Sequence, residues 1–254
     1  MDLLDHGSLN LIEAWGSDER IIEAARMSTA KGFRWWGDII CPQCAGKPVI
    51  ALHTGEPTTC SECKGKGVLH GDEKLLKYLW KHQHTTPFEV AGATVAVCCP
   101  VVVVWQWVRH RTMTYNILSG RYAEMPNDDY LPTVERCLMV DDKNKQAGAA
   151  DGSESLTAES ATAWLAELSE AYAHLERVYQ SGLRRGVPKE LARLPVGFAR
   201  YTRMRVSANL LNWLKFLKLR CAADAQHEIR VYADAVRTVL AEKFPRTLAL
   251  FNIA

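Results

Sequence analysis

No run of about 20 consecutive apolar residues occurs, the length that a helix needs to cross a bilayer. The longest such stretch, near residues 95–108, is shorter and contains Gln106, so it reads as buried core. Residues 1–16 carry Asp2, Asp5 and Glu13 and lack a basic segment followed by an apolar one, which excludes a secretory signal and leads us to expect a cytoplasmic protein without membrane contact. Charge of one sign is also missing. With 31 Lys and Arg against 29 Asp and Glu, the net charge is +2, so overall charge gives no ground for a nucleic-acid partner, while small anionic ligands stay open. Neither GxGxxG nor GxxxxGK with a following Ser or Thr is found, so no Rossmann or P-loop nucleotide site is indicated. There is no internal repeat, and 48% hydrophobic with 24% charged residues excludes a disordered or fibrous chain.

Cysteine, by contrast, is plentiful: eight in 254 residues. Without an export signal, thiols and metal ligation are expected before disulfides. Cys41-Pro-Gln-Cys44 and Cys60-Ser-Glu-Cys63 form CxxC-x15-CxxC, a spacing that lets two knuckles present four thiolates tetrahedrally to Zn²⁺. Each knuckle is followed by Gly-Lys one residue on, at Gly46-Lys47 and Gly65-Lys66, which permits the tight turn and resembles the units of chaperone-type zinc modules. Lys47, Lys64 and Lys66 would offset thiolate charge. A four-cysteine shell has no open position, so zinc here would be structural; the alternative is an unmetallated or oxidised loop. His53 and His70 are reserve ligands. Cys98, Cys99, Cys137 and Cys221 lack such pairing, and Cys98-Cys99 reads as core.

Hydrophobic periodicity places helices over residues 18–30 (N-cap Ser17), 72–83, 157–180, 210–219 and 222–244, and strands over 90–99 and 196–207. Residues 101–104 are four valines, strand formers by propensity, but Pro100 suits a helix start and the apolar run continues through Trp107, so a buried helix is expected. Composition shifts to Cys, Gly, Pro and Lys over 38–70, marking an inserted module within a single domain spanning 1–254. Residues 141–155 are polar and Gly/Ala/Ser-rich, as a surface loop is. The fold class is α+β: long helices with an antiparallel or mixed sheet, plus the zinc-knuckle module.

Arg109-His110-Arg111 ends the apolar run and precedes a Ser/Thr/Asn/Gly-rich loop reaching Ser119. Two guanidinium groups beside a histidine, followed by short donors, suit a phosphate and a planar anion-forming ring; the plain alternative is a surface basic triplet paired with acidic neighbours, as helix-surface salt bridges are for Arg193 and Arg220. Arg109-His110-Arg111, seven residues and Ser119 match the RHRx7S motif of flavin-dependent thymidylate synthase. KHQHTTPFE at 81–89, ARMS at 25–28, PKELAR at 188–193 and LRCAADAQ at 219–226 continue the resemblance in family order. Apart from the module and the polar loop, nearly the whole chain resembles that family.

The resemblance implies a homotetramer with active sites at subunit junctions, FAD as cofactor, NADPH as reductant and methylenetetrahydrofolate as carbon donor to C5 of a uridine monophosphate. It implies flavin contacts from His84, Thr86, Arg109, His110, Arg111 and Asn209, and nucleotide contacts from Gln106, Arg109, Ser119, Gly120, Arg121 and Arg193. Arg220 matches the family arginine set against the pyrimidine, where a cation favours ionisation at N3 and makes C5 more nucleophilic. Ser119 reads as a ligand contact, because no adjacent base activates its hydroxyl. Ile117 stands where the family has Glu, in the NELSGRY version of this loop, and removes an acceptor near the ribose. Leu211 and Lys215 replace polar flavin-side residues, and Ala222 and Asp224 replace an Asp and a His. These changes imply acceptance of UMP as well as dUMP, or a hydroxymethyl product. The competing class is a non-catalytic binding protein on the same fold.

Overall fold

A computed structural model describes residues 1–47, 49–51, 57–140, 147–150, 153 and 155–250. The chain begins with strands β1 (Asp2–Leu3) and β2 (Gly7–Trp15), then helix α1 (Asp18–Arg26) and a 3-10 turn at Met27–Thr29. Four short strands follow, β3 (Ile39–Ile40), β4 (Val49–Ala51), β5 (Pro57–Thr59) and β6 (Val68–Leu69), before α2 (Glu73–Lys81) and a 3-10 turn at Thr86–Glu89. Next come β7 (Gly92–Pro100), α3 (Val101–Trp107), β8 (Thr114–Ile117), α4 (Val134–Cys137), α5 (Ala158–Arg184) and α6 (Lys189–Ala192). The chain then runs through β9 (Tyr201–Asn209), α7 (Leu210–Arg220), α8 (His227–Lys243) and α9 (Pro245–Leu250). The α+β class read from the sequence is the class observed. Two compact units divide these elements, one made of Met1–Ala14 with Gly92–Leu240, the other of Trp15–Ala91 with the described residues 241–250.

The first unit is built on the sheet β1-β2-β7-β9-β8. Strands β7 and β9 run antiparallel in full register from Gly92↔Asn209 to Pro100↔Tyr201, and Thr94 donates its hydroxyl to Ser207 at 2.9 Å across the pair. Period-2 alternation is clear along β9: Thr202, Met204, Val206 and Ala208 are buried while Arg203 and Arg205 are exposed. Helix α7 covers this sheet with Trp213, Leu214, Phe216 and Leu217 fully buried, and the Trp213 indole N–H donates to the Ala93 carbonyl at 3.0 Å.

The four valines are helical, as Pro100 suggests. The orphan N–H groups at the start of α3 are met by tertiary partners: Val101 donates to the Arg200 carbonyl and Val102 to that of Phe198, both at 3.0 Å. That supply of acceptors overrides β propensity. The segment after Arg111 departs from the sequence reading, since Thr114–Ile117 pairs with β9 as a strand instead of looping freely. Strand β2 was likewise not apparent, because its burial alternates only over Gly7–Leu9. Helix α8 starts five residues later than periodicity suggested; residues 221–226 form a turn. Of the polar stretch 141–155, residues 141–146, 151, 152 and 154 lie outside the described ones.

In the second unit, Ser17 caps α1 by accepting from the Arg20 N–H, and β3 pairs antiparallel with β6 and β4 with β5. The buried Asp18 carboxylate accepts from the N–H and hydroxyl of Thr247, tying α1 to α9.

Arg200 is the buried knot of the first unit, 1% exposed. Its guanidinium donates to Asp129 at 3.1 Å and to the Pro126 carbonyl at 2.6 Å, and it lies 2.8 Å from Glu176 as an ion pair without hydrogen-bond alignment. Burial pushes the Asp129 carboxyl up, and only Arg200 counters this. Replacing Arg200 with Met leaves two carboxylates desolvated together, so the unfolding free energy in urea is expected to drop by about 3–5 kcal/mol. A drop below about 1 kcal/mol would mean that water, not Arg200, satisfies them.

Candidate functional site

The Arg109-His110-Arg111 triplet sits in the turn that closes α3. The His110 N–H donates to the Trp107 carbonyl at 3.0 Å, the Met113 N–H to that of His110 at 3.1 Å, and the Tyr115 hydroxyl lies 2.8 Å from both of those carbonyls. Strand β8 thus pins the turn from behind. Burial pushes the Tyr115 phenol up to about 12, so it stays a neutral donor.

Arg220, the last residue of α7, closes the other side. Its Nε donates to His110 Nε2 at 3.0 Å, one Nη to Gln106 Oε1 at 3.2 Å and the other to the Gln106 carbonyl at 2.8 Å. Three of five guanidinium N–H groups are thereby used and two stay available. No carboxylate among the described residues pairs with Arg220, Arg109, Arg111 or Arg193 within ion-pair distance, so the salt-bridge alternative does not describe these arginines. His110 must be neutral to accept at Nε2: burial first, and the adjacent Arg220 second, bring its pKa down to about 4. Arg220 is itself shifted down by burial and by Arg109. Uncompensated cations around a neutral imidazole are a standing attraction for an anion, and this donor set fits a planar anionic ring and the phosphates of a dinucleotide. Phe216 backs the imidazole edge-on at 5.0 Å and stacks on Trp107 at 4.8 Å.

A second feature of the same unit is an open cavity of about 510 Å³. Ile117, Leu118, Gly120 and Arg193 line it with Trp105, Val108 and other apolar residues, and Arg193 is its one charged wall. Gly120 lets these side chains come close: a Cβ there would stand 3.1 Å from the Arg193 Cδ and 3.0 Å from the Met125 sulfur, a tight fit that either could relieve only by shifting. Ile117, 41% exposed, offers no polar atom to a ligand.

The structure therefore gathers Gln106, Arg109, His110 and Arg220 in one place, and Ile117, Gly120 and Arg193 in another. Ser119 accepts from the Arg121 N–H at 3.3 Å, and Arg121 is exposed and paired with Glu190 at 3.0 Å. Arg111 is exposed. Asn209 caps α7 through its side-chain oxygen, 3.0 Å from the Asn212 N–H, with its amide NH2 left to donate. Leu211 is buried and Lys215 exposed. His84 and Thr86 belong to the other unit, just after α2; the His84 N–H donates to the Leu79 carbonyl at 2.9 Å and its ring meets Tyr78 edge-on.

Cys41, Cys44, Cys60 and Cys63 converge, their sulfur atoms all within 4.8 Å of one another. His70 instead faces Asp38 at 2.9 Å, and His53 lies outside the described residues. Cys99 is buried in β7 as core, with Cys98 half-buried. No helix among the described residues is long and apolar enough to cross a membrane.

Sequence reasoning missed the support behind Gln106. Gln106 donates to Gln226, whose own amide donates to Glu228 at 2.7 Å, and Glu228 also takes Arg136 at 2.6 Å and the Tyr130 hydroxyl at 3.1 Å. No local signal marked it: a helix read from 222 hides that Glu228 stands in the first turn of α8, where it is 3% exposed. Burial alone would raise the Glu228 carboxyl, but the Arg136 and Gln226 donors outweigh it and hold it at about 2, against an ordinary 4.5. A depressed folded pKa gives stability that is complete above the ordinary value and is lost as pH falls through the folded one. Urea unfolding followed from pH 6 to pH 2 is expected to show a decline between about 4.5 and about 2. In Glu228→Gln that portion of the decline disappears, at a cost of about 1.5–3 kcal/mol at neutral pH. An unchanged acid profile in Glu228→Gln would contradict this.

Comparison with known proteins adds to this geometry. Residues 10–246 match the family model described as Thymidylate synthase complementing protein. The flavin-dependent thymidylate synthase of Wolbachia pipientis is 32% identical over 96% of this chain and 72% of its own length. That of Thermus thermophilus is also 32% identical, over 98% of this chain and 77% of its own. A solved structure of the UMP/dUMP methylase PolB from Streptomyces cacaoi, bound with 5-Br dUMP, superposes with a TM-score of 0.72 at 24% identity, covering 99% of this chain and 96% of that one. The same protein bound with 5-Br UMP gives 0.71 at 23%, covering 96% and 93%. At these identities the two superpositions establish the shared fold.

Proposed function

Because this chain belongs to the Thy1 family and is a flavin-dependent enzyme of the thymidylate synthase kind, we propose that it methylates C5 of a uridine monophosphate, accepting UMP as well as dUMP. In this reading methylenetetrahydrofolate donates the carbon and NADPH the reducing equivalents. The observation that carries it is the junction of Arg220 with His110 and Gln106, where uncompensated cations surround a neutral histidine.

The roles follow from that arrangement. The two free N–H groups of Arg220 meet the pyrimidine at O2 or O4 and N3, and the guanidinium charge favours the N3 anion, which feeds electron density to C5. Gln106, held by Gln226, keeps Arg220 in place and presents its amide to the base. Arg193, Ser119, Gly120 and Arg121 hold the nucleotide, with Arg193 on the phosphate. Arg109, Arg111, His110 and Asn209 bind FAD, a role the resemblance also gives to His84 and Thr86. Bound flavin supplies hydride transfer and the relay of the carbon unit, chemistry that no side chain provides.

Ile117 supports relaxed sugar choice. A carboxylate that accepts from the ribose or orders the chain around it would discriminate between sugars; a sec-butyl group at the mouth of the cavity does neither. The exposed Trp105 and Phe198, whose rings meet at a tilt with centroids 4.3 Å apart, and the exposed Leu194 support a homotetramer with sites completed at subunit junctions. Eight free thiols support a reducing, cytoplasmic setting. The four-cysteine module over 38–70 carries structural zinc within one catalytic domain.

Anaerobic turnover of the FAD-loaded enzyme with NADPH, methylenetetrahydrofolate and each nucleotide, with products identified by mass, tests the proposal. Expected is a gain of one CH2 on both UMP and dUMP, with catalytic efficiencies within about a hundredfold, roughly 2.7 kcal/mol. A stricter dUMP preference would end the relaxed-sugar reading, and a gain of CH2O would replace methylation by hydroxymethylation. No product from either nucleotide, in a colourless protein that takes up no FAD, would overturn the reading as a whole.

A further inference from the structure

The four-cysteine cluster has a geometry that the methylation reading does not require. A Zn–S bond of about 2.3 Å in a regular tetrahedron sets the sulfur atoms about 3.8 Å apart. The Cys41 and Cys60 sulfurs lie 3.8 Å apart and those of Cys44 and Cys63 3.6 Å apart, one pair reaching across each side of the two knuckles. A disulfide would need about 2.05 Å. The knuckles repeat one another: Ala45 and Gly46 are both left-handed at φ 48° and 83°, as are Lys64 and Gly65 at 51° and 77°. Lys47 and Lys66 then donate their N–H groups to the carbonyls of Cys44 and Cys63, at 2.8 and 3.1 Å. Two residues per knuckle held at positive φ, only one of them glycine, is strain that the chain accepts for some return.

Among its described side chains the module also shows no apolar core to fold around beyond the cysteines. These four are buried, with Leu69 packed on them, while Ile39 and Ile40 are exposed. A segment this small needs a metal or covalent cross-links in place of a core.

What the cluster holds in place is also visible. Immediately below it Cys41 donates its N–H to the Gly67 carbonyl at 2.9 Å, and β3 pairs with β6. One residue further, Gly71 is pressed on the backbone of Gly37, where a Cβ would stand 2.0 Å from the carbonyl oxygen. Asp72 donates its N–H to the Trp35 carbonyl at 2.9 Å, and its carboxylate takes the Arg34 N–H at 2.9 Å and the Arg26 guanidinium. Glu73 takes the Gly37 N–H and Arg246, which lies over the Trp36 ring. The two strands leaving the cluster are thus the two that set the start of α2.

We propose that Cys41, Cys44, Cys60 and Cys63 bind one Zn²⁺ whose function is to clasp β3 to β6 and so fix the first turn of α2 against residues 34–37. The claim goes beyond the methylation reading and does not depend on it.

Metal analysis of the full chain, purified without chelator, is expected to give close to one zinc per chain. A Cys41→Ser/Cys60→Ser variant is expected to lose at least ~90% of it, since each knuckle then lacks one thiolate. If that variant does not fold, cobalt exchanged into the wild-type protein gives a second reading: tetrahedral four-thiolate cobalt shows intense visible bands together with sulfur-to-metal charge transfer. Hydrogen exchange reports the clasp, with the amides of Cys41 and Asp72 expected to exchange at least ~10-fold faster once the metal is stripped. Stoichiometric iron, two disulfides, or a wild-type protein without bound metal would overturn the site. Metal loss with unchanged exchange at those amides would overturn the clasp. Failure of FAD uptake with zinc in place would count against the enzyme reading alone.

Discussion

A guanidinium with no carboxylate within ion-pair distance among the described residues governs the candidate site. Arg220 is half-buried at the end of α7, and in place of an acid it is given a backbone carbonyl, an amide oxygen and a histidine nitrogen. None of the three neutralises it, so the full charge remains for a ligand. The Gln106 carbonyl is itself one of the orphan acceptors in the last turn of α3, so a single side chain caps one helix, terminates another and orients His110. A carboxylate in the same place would have made a better salt bridge and a poorer site.

Everything near this junction serves to hold it without cancelling its charge. Tyr115 fixes the turn through backbone carbonyls, and Phe216, itself stacked on Trp107, packs against the imidazole. A buried acid of the region, Glu228, is spent on Arg136, Tyr130 and Gln226, and is linked to Arg220 by relay through Gln226 and Gln106. At the other end of β9 the opposite holds, because Arg200 is compensated by two carboxylates, Asp129 and Glu176. The first unit therefore sorts its cations: Arg136 and Arg200 are compensated and structural, while Arg109, Arg193 and Arg220 are left uncompensated among the described residues.

Local signals made much of this legible in the sequence. Pro100 ahead of an apolar run marked α3 despite four valines, the CxxC spacing marked the sulfur cluster, and the basic triplet marked its turn. Long-range pairing was not legible. Strand β8 is four residues with one half-buried side chain, and its existence depends on β9, some 90 residues later. Glu228 and Arg136 are 92 residues apart, and a charged pair of that separation leaves no periodic trace in either segment. Residues 221–226 have helix-compatible composition, yet the chain turns there, placing Gln226 between Gln106 and Glu228 instead of extending α8.

If Arg220 donates to His110, the imidazole must be neutral with its proton on Nδ1. Nitrogen-15 NMR of histidine-labelled protein, with His110 assigned by substitution, reads that tautomer directly. At pH 7 and down to pH 5 the account predicts a pyridine-like Nε2 and a protonated Nδ1, with charging deferred to about 4. An imidazolium at pH 6, or a neutral ring carrying its proton on Nε2, would contradict it.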